Sequence, residues 1–298
     1  MSSVFQGLSA FPITPADRDG RVDAEALGRL VERLIAARVD SIGLLGSTGT
    51  YAYLSREERR RAVSIAAEAA RGRTPLVVGI GALRTDEAIR LGRDAREAGA
   101  DAVLLAPVSY TPLTEREVEA HFTAVADAVG LPLCVYDNPA TTHFSFTPAL
   151  IGRLSRHPSI VAVKAPSAEA AAMPERLAAL RAVTSETFQI GFSGDWNAAE
   201  ALIAGGAAWY SVLGGLFPDP CMSIVKAAQA GDVTAARDAN AALEPLWALF
   251  RELSSLRVVY AAANLLGLCR ADPPLPILPL GDKDAQRCQD IISRLGLR

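Results

Sequence analysis

Hydrophobic positions along the chain follow two periods that take turns. Short apolar runs with many β-branched residues occupy positions 7–11, 41–46, 75–81, 102–107, 132–137, 160–165, 188–194 and 207–213. Runs of this length, bounded by polar or turn residues, predict strands buried on both faces. Between them the apolar residues recur at helical spacing. Asp23-Ala24-Glu25 opens the first helix, and Ser55-Arg56-Glu57-Glu58 and Thr114-Glu115-Arg116-Glu117 read as capping boxes. Thr147-Pro148 places proline at a first helical position, and Gly72, Gly99 and Gly130 stand where helices should end. Eight strand–helix units in series predict an α/β fold, a closed (β/α)8 TIM barrel. The competing open, doubly wound sheet usually announces a Gly-x-Gly-x-x-Gly turn after its first strand. Here that strand runs into Phe11-Pro12-Ile13-Thr14-Pro15, which cannot cradle a pyrophosphate. Beyond about residue 230 the strand pattern stops, leaving helical periods over 233–250, 254–266 and 284–295, with Asp272-Pro273-Pro274-Leu275-Pro276 as a rigid linker. The expected organisation is therefore a barrel over residues 1–230 and a C-terminal helical extension over 231–298, packed on the barrel and carrying no chemistry.

Composition narrows the function classes. A net charge of -3 offers no basic footprint for nucleic acid or an anionic membrane. No apolar run approaches a membrane span, and Met1-Ser2-Ser3-Val4-Phe5-Gln6 does not read as a signal peptide. Cys134, Cys221, Cys269 and Cys288 are far apart and read as reduced, buried residues, which points to the cytoplasm. Neither they nor His121, His143 and His157 have ligand-like spacing, so no metal is expected. The run Arg56-Glu57-Glu58-Arg59-Arg60-Arg61 reads as a solvated helix face.

Against this background one residue is out of place. Of 30 basic residues only three are lysines, and one of them, Lys164, lies inside the apolar run Ile160-Val161-Ala162-Val163-Lys164-Ala165. Burial there disfavours the charged ammonium, and a neutral amine in a dry pocket is a nucleophile toward carbonyls. Lys226 and Lys283 sit in helical and polar stretches where arginine would serve as well. A lysine snorkelling from a strand end is the alternative reading of Lys164.

In a barrel, chemistry collects at the C-terminal ends of the strands. The second predicted strand ends Leu45-Gly46-Ser47-Thr48-Gly49-Thr50, whose hydroxyls and backbone amides suit a small carboxylate, although a plain glycine turn reads the same way. The fifth ends Val135-Tyr136-Asp137-Asn138-Pro139. Counted from Pro132 and Ile160, Tyr136 and Lys164 share a parity, and neighbouring strands lie about 4.8 Å apart. The phenol is then expected near the amine, where imine formation needs proton transfers; an interior aromatic with a satisfied hydroxyl is the alternative. The seventh strand ends Phe192-Ser193-Gly194-Asp195, with Asp195 expected to cap the next helix.

The ordered set Gly46-Ser47-Thr48-Gly49, Tyr136-Asp137-Asn138-Pro139 and Ile160-Val161-Ala162-Val163-Lys164 resembles the dihydrodipicolinate synthase / N-acetylneuraminate lyase superfamily. So do Ala10-Phe11-Pro12-Ile13-Thr14-Pro15 and Gly191-Phe192-Ser193-Gly194-Asp195, and the likeness runs over nearly the whole chain. The resemblance implies a class I aldolase or lyase without cofactor, homotetrameric or homodimeric, whose lysine forms a Schiff base with pyruvate or a related 2-oxo acid. It implies Lys164 as the imine-forming residue and Tyr136 as acid and base. Ser47 and Thr48 fall on the carboxylate, one of them relaying protons, with Thr48 taken as catalytic. Tyr210 falls where a backbone carbonyl lines the pocket, beside Gly194. The chain also departs from the pattern. Thr50 replaces the glutamate of Gly-Thr-Thr-Gly-Glu, and Thr141 stands where synthases carry an arginine for the second substrate. Ser109 stands where they carry a tyrosine offered to a neighbouring subunit, with Tyr110 one step beyond. A dihydrodipicolinate synthase with an altered second-substrate site, a sugar-acid dehydratase of the same family and a non-catalytic 2-oxo-acid sensor are the alternatives.

Overall fold

A computed structural model describes residues 4–298. Eight parallel strands close into a barrel in sequence order: β1 (Gly7–Ala10), β2 (Ser41–Leu44), β3 (Leu76–Gly79), β4 (Ala102–Leu105), β5 (Leu133–Tyr136), β6 (Ile160–Pro166), β7 (Gln189–Ser193) and β8 (Ala208–Ser211). Each expected strand is present, most of them trimmed by a residue or two where the chain leaves the hydrogen-bonded ladder. Helices α1 (Ala24–Ala36), α2 (Arg56–Ala70), α3 (Thr85–Glu97) and α4 (Glu115–Val129) follow the first four strands. The short α5 (Pro139–Thr142), then α6 (Pro148–Leu154), α7 (Met173–Arg181), α8 (Ala198–Ile203) and α9 (Pro218–Gln229) follow the rest.

The start signals act as their chemistry requires. Asp23 accepts from the Ala26 amide and Thr147 from that of Leu150. Thr114 and Glu117 form a reciprocal capping box, whereas Ser55 caps the Glu58 amide without the return bond. Such caps contribute about 1 kcal/mol each.

The barrel interior combines small residues such as Ala102, Ala162 and Ala208 with Val77, Leu104 and several aromatic rings. Phe11 leaves β1 and Tyr210 stands on β8, edge to face with centroids 6.1 Å apart. A Cβ on Gly43 would lie 2.3 Å from the Phe11 ring, and one on Gly191 would lie 2.5 Å from the Tyr210 ring. Glycine at those two places is what admits the rings. Ser9 and Ser41 share a buried 2.9 Å hydrogen bond below them. The larger aliphatic core lies between strands and helices, and includes Leu30, Val63, Phe122 and Ile190.

Past the barrel come α10 (Val233–Ala242), α11 (Glu244–Leu253), α12 (Ser255–Leu265) and α13 (Asp282–Arg294). The expected single helix over 233–250 is two. Leu243 leaves the helical region and Pro245 occupies the first turn of the next helix, where its missing amide proton costs nothing. Leu246, Trp247 and Val259 join the same hydrophobic core as the barrel helices, and the Tyr260 hydroxyl reaches Thr14 O at 3.4 Å in the loop after β1. Among the described residues no helix is long and apolar enough to cross a membrane.

Two expectations fail here. Asp195 is no helix cap. It is buried and accepts from Trp209 Nε1 at 2.9 Å and the Leu213 amide at 2.7 Å, tying the loop after β7 to the end of β8. Burial pushes its carboxyl up, against those hydrogen bonds. Nor is the arginine run on α2 uniformly solvated. Arg56 pairs with Asp94 at 2.5 Å and Arg61 with Glu58 at 3.2 Å, but Arg59 is only 7% exposed.

Candidate active site

Lys164 lies five residues into β6 and is buried. Its strand partner on β5 is Tyr136. The pairing arises by a different route from simple counting. Leu133 pairs with Ile160, the register then slips by one, and Cys134 pairs with Ala162. The extra residue, Val161, brings two chains of unlike count into phase, so that both functional side chains face inward.

Three aromatic faces surround the Lys164 amine. Nζ lies 3.7 Å from the Phe11 ring centroid, 4.3 Å from that of Tyr136 and 5.6 Å from that of Tyr210. Among the described residues no carboxylate lies within 4.0 Å of Nζ to fix the amine as an ion pair. Below it the Cys134 thiol, 3.6 Å from the Tyr210 hydroxyl, is pushed up to about 12 by burial and stays a thiol.

The Tyr136 hydroxyl is held in a small polar network. Ser47 Oγ lies 2.9 Å from Tyr136 Oη. Asn138 Nδ2 donates to the same phenol oxygen at 2.9 Å and reaches Ser47 Oγ at 3.4 Å. It is thus Ser47, not Thr48, that touches the phenol. Thr48 lines the cavity without a bond to Tyr136. Asn138, given no role from the sequence, follows Tyr136 by two positions, the spacing that returns a side chain to the same side. Phe11 was also missed as a neighbour of the amine, although Gly7, Ser9 and Phe11 share one parity of the first strand.

These groups open into a cavity of about 780 Å³ at the C-terminal ends of the strands. Ser47, Thr48, Thr141, Gly194 and Tyr210 all line it with Lys164 and Tyr136. Gly194 has φ +97, and a Cβ there would lie 2.6 Å from Ser167 Oγ, so the wall can pass close only as glycine. Tyr210 contributes its buried ring to the wall under the amine. Thr141 turns its hydroxyl to Asn138 O at 3.3 Å. The far wall comes from the helical extension, through Phe250, Ser254, Ser255, Leu256 and Ile277. The extension, expected from the sequence to pack on the barrel and carry no chemistry, therefore borders the site. Lys164 is the one cationic side chain among the described residues that line the cavity; no arginine or histidine does.

The conserved pattern of the Dihydrodipicolinate synthetase family matches residues 4–295. The chain is 36% identical over 295 residues to the 4-hydroxy-tetrahydrodipicolinate synthase of Acidiphilium cryptum, covering 99% of each. It is 37% identical over 275 residues to that of Methylococcus capsulatus, covering 92% of this chain and 93% of the other. Among solved structures, the dihydrodipicolinate synthase of Agrobacterium tumefaciens superposes with a TM-score of 0.96 at 55% identity, covering 99% of both chains. The chain belongs to the dihydrodipicolinate synthetase family and is a lyase of the class I aldolase type.

Proposed function

We propose that this member of the dihydrodipicolinate synthetase family joins Lys164 to pyruvate, or a related 2-oxo acid, as a Schiff base, and uses the derived enamine to make or cleave a bond to an uncharged, hydroxylated partner. The observation that carries the reading is the pairing of Lys164 with Tyr136 across β5 and β6, with the Tyr136 hydroxyl bonded to Ser47 and Asn138. Ser47 and Thr48 are suited to hold the carboxylate of the 2-oxo acid. The amine adds to the ketone to give a carbinolamine. Tyr136 gives its proton to the departing hydroxyl, water leaves, and Ser47 and Asn138 stabilise the phenolate until it is reprotonated. The imine then draws electrons from the adjacent carbon, which permits carbon–carbon cleavage or condensation there, or loss of a leaving oxygen.

The partner's character rests on the cavity wall. A second carboxylate is best held by the bidentate fork of an arginine, and no arginine lines the cavity among the described residues. Asn138, Thr141, Ser167, Asn197, Ser254 and Ser255 line it instead. The synthase activity for which the relatives are named favours a second reading, condensation with aspartate semialdehyde. Loss of a charge-assisted pair costs about 10- to 100-fold in specificity. kcat/KM with aspartate semialdehyde should therefore fall well below the cleavage of a hydroxylated 2-oxo acid. A value near ~10⁵ M⁻¹s⁻¹, ordinary for an enzyme on its own substrate, would establish the synthase reading instead. The imine itself is tested by borohydride reduction with pyruvate, which should leave a stable adduct on Lys164. An unmodified chain, or an adduct on Lys226 or Lys283, overturns it.

A homotetrameric or homodimeric assembly in the cytoplasm is proposed with this function. Its support is family likeness. Monomeric sedimentation at micromolar concentration would count against it.

A further inference from the structure

The buried arginine of α2 has no role in the chemistry above. Arg59 Nη1 and Nη2 both donate to Gly81 O at 3.2 Å, and Nη2 also reaches Gly79 O at 3.1 Å, just past the end of β3. Nε has no partner. Among the described residues no carboxylate lies within 4.0 Å of the guanidinium, and burial pulls it down to about 10. A buried cation without an anion is costly, and a solvated helix face would not build one.

What this cation does face is a ring. The guanidinium carbon lies 5.1 Å from the centroid of Tyr51, whose side chain lines the same cavity as Lys164, Ser47 and Tyr136. The Tyr51 hydroxyl passes over Gly81, where a Cβ would stand 3.1 Å away, and makes no hydrogen bond to any described residue. Its ionisation is opposed first by burial and then by the charge of Tyr136, which together raise it to about 12. Tyr51 is thus a phenol that stays protonated, lines the same cavity as Tyr136 and Ser47, and is clamped by a guanidinium on its ring face. Clamping a ring by its face leaves the hydroxyl free to donate.

We propose that Tyr51 donates a hydrogen bond, by way of water in the cavity, to the Tyr136–Ser47 pair when Tyr136 carries negative charge, and that Arg59 is a positioning residue acting through Tyr51. Tyr51 keeps its proton throughout. The inference rests on the Schiff-base reading and refines its proton path.

Tyr51→Phe keeps the ring on Arg59 and removes only the oxygen. The variant should lower kcat by about 10- to 100-fold, the worth of one hydrogen bond to a charged group, with KM for pyruvate little changed. Arg59→Met should lower kcat to a similar level and Arg59→Lys by less. In the double variant Tyr51→Phe with Arg59→Met, the losses should not multiply, because one residue acts through the other. Circular dichroism and the borohydride adduct on Lys164 are followed in every variant, so that a misfolded Arg59→Met leaves Tyr51→Phe as the deciding measurement. Wild-type kcat in Tyr51→Phe overturns the proposal, as do losses that multiply in a folded double variant. Absence of the adduct in the parent enzyme overturns the Schiff-base reading instead.

Discussion

The cavity has two walls of different make. One is the strand-built wall of β5 and β6, where Tyr136 and Lys164 are fixed by ladder hydrogen bonds and surrounded by rings. The other is helix-built, from the end of α11 and the start of α12, and offers hydroxyl and apolar groups without charge. The strand wall is buried and its side chains have partners. The helix wall is half-exposed, and its serines turn toward the cavity from a backbone break at Ser254, φ 74 and ψ 128. The contrast divides the labour. A reacting group must be held within a fraction of an ångström, which a pleated ladder does well. A surface that selects a partner can tolerate small movements and can change without disturbing the ladder.

The sharpest way to break this division is to alter the strand wall. Lys164→Arg should abolish both the borohydride adduct and turnover, because arginine stays charged and cannot form the imine; mass spectrometry of the reduced protein decides it. Tyr136→Phe should preserve the fold and slow turnover by about 10² or more, as read by steady-state kinetics. Turnover at the parent rate would move the acid–base role elsewhere.

A smaller effect is expected from Asp137, next to Tyr136 but turned away from the amine. Burial raises its carboxyl from the ordinary 3.8 to about 6, outweighing the Phe146 amide and Arg176. A carboxyl raised on folding binds its proton more tightly in the folded state. It therefore costs stability above about pH 6, and the cost vanishes as the pH falls through 6 toward 4. Asp137→Asn should be more stable than the parent at neutral pH by on the order of 1–2 kcal/mol, with the gap closing below about pH 5. Denaturant melts at the two pH values test it; a gap that widens in acid would reverse the assignment.

The smallest effect should come from the helix wall. Ser254 holds a positive φ that a side chain resists, so Ser254→Gly should add about 1 kcal/mol of stability. Imine formation, which belongs to the other wall, should keep its rate. A slower imine in that variant would show that the two walls are coupled.

The strand wall was readable from sequence because a lysine inside an otherwise apolar run stands out from its neighbours. The fold was readable for a related reason: eight apolar runs separated by capped helices leave few topologies. Arg59 was hidden by its neighbours. In a run of six charges the composition suggests solvent, yet position 59 falls three and four residues before Ala62 and Val63 and seven before Ala66, on the face that α2 buries. Helical phase outweighed residue type there. Asp195 was misread for another reason: its acceptors are used by the Trp209 indole and by the Val212 and Leu213 amides, contacts across 14 to 18 residues that no local pattern carries. The helix wall was silent because serines and a leucine near a helix start have no distinctive spacing.

The slipped register at Val161 has a consequence for how this chain tolerates change. Three steps along β5 from Leu133 reach Tyr136, while four along β6 from Ile160 reach Lys164. The slack lies in β6. Losing a single residue between Ile160 and Lys164 would straighten the ladder to one-to-one pairing and leave the amine opposite Tyr136. β5 has no such spare residue. A loss between Leu133 and Tyr136 would turn the phenol through half a pleat, out of the barrel and into the layer of helices.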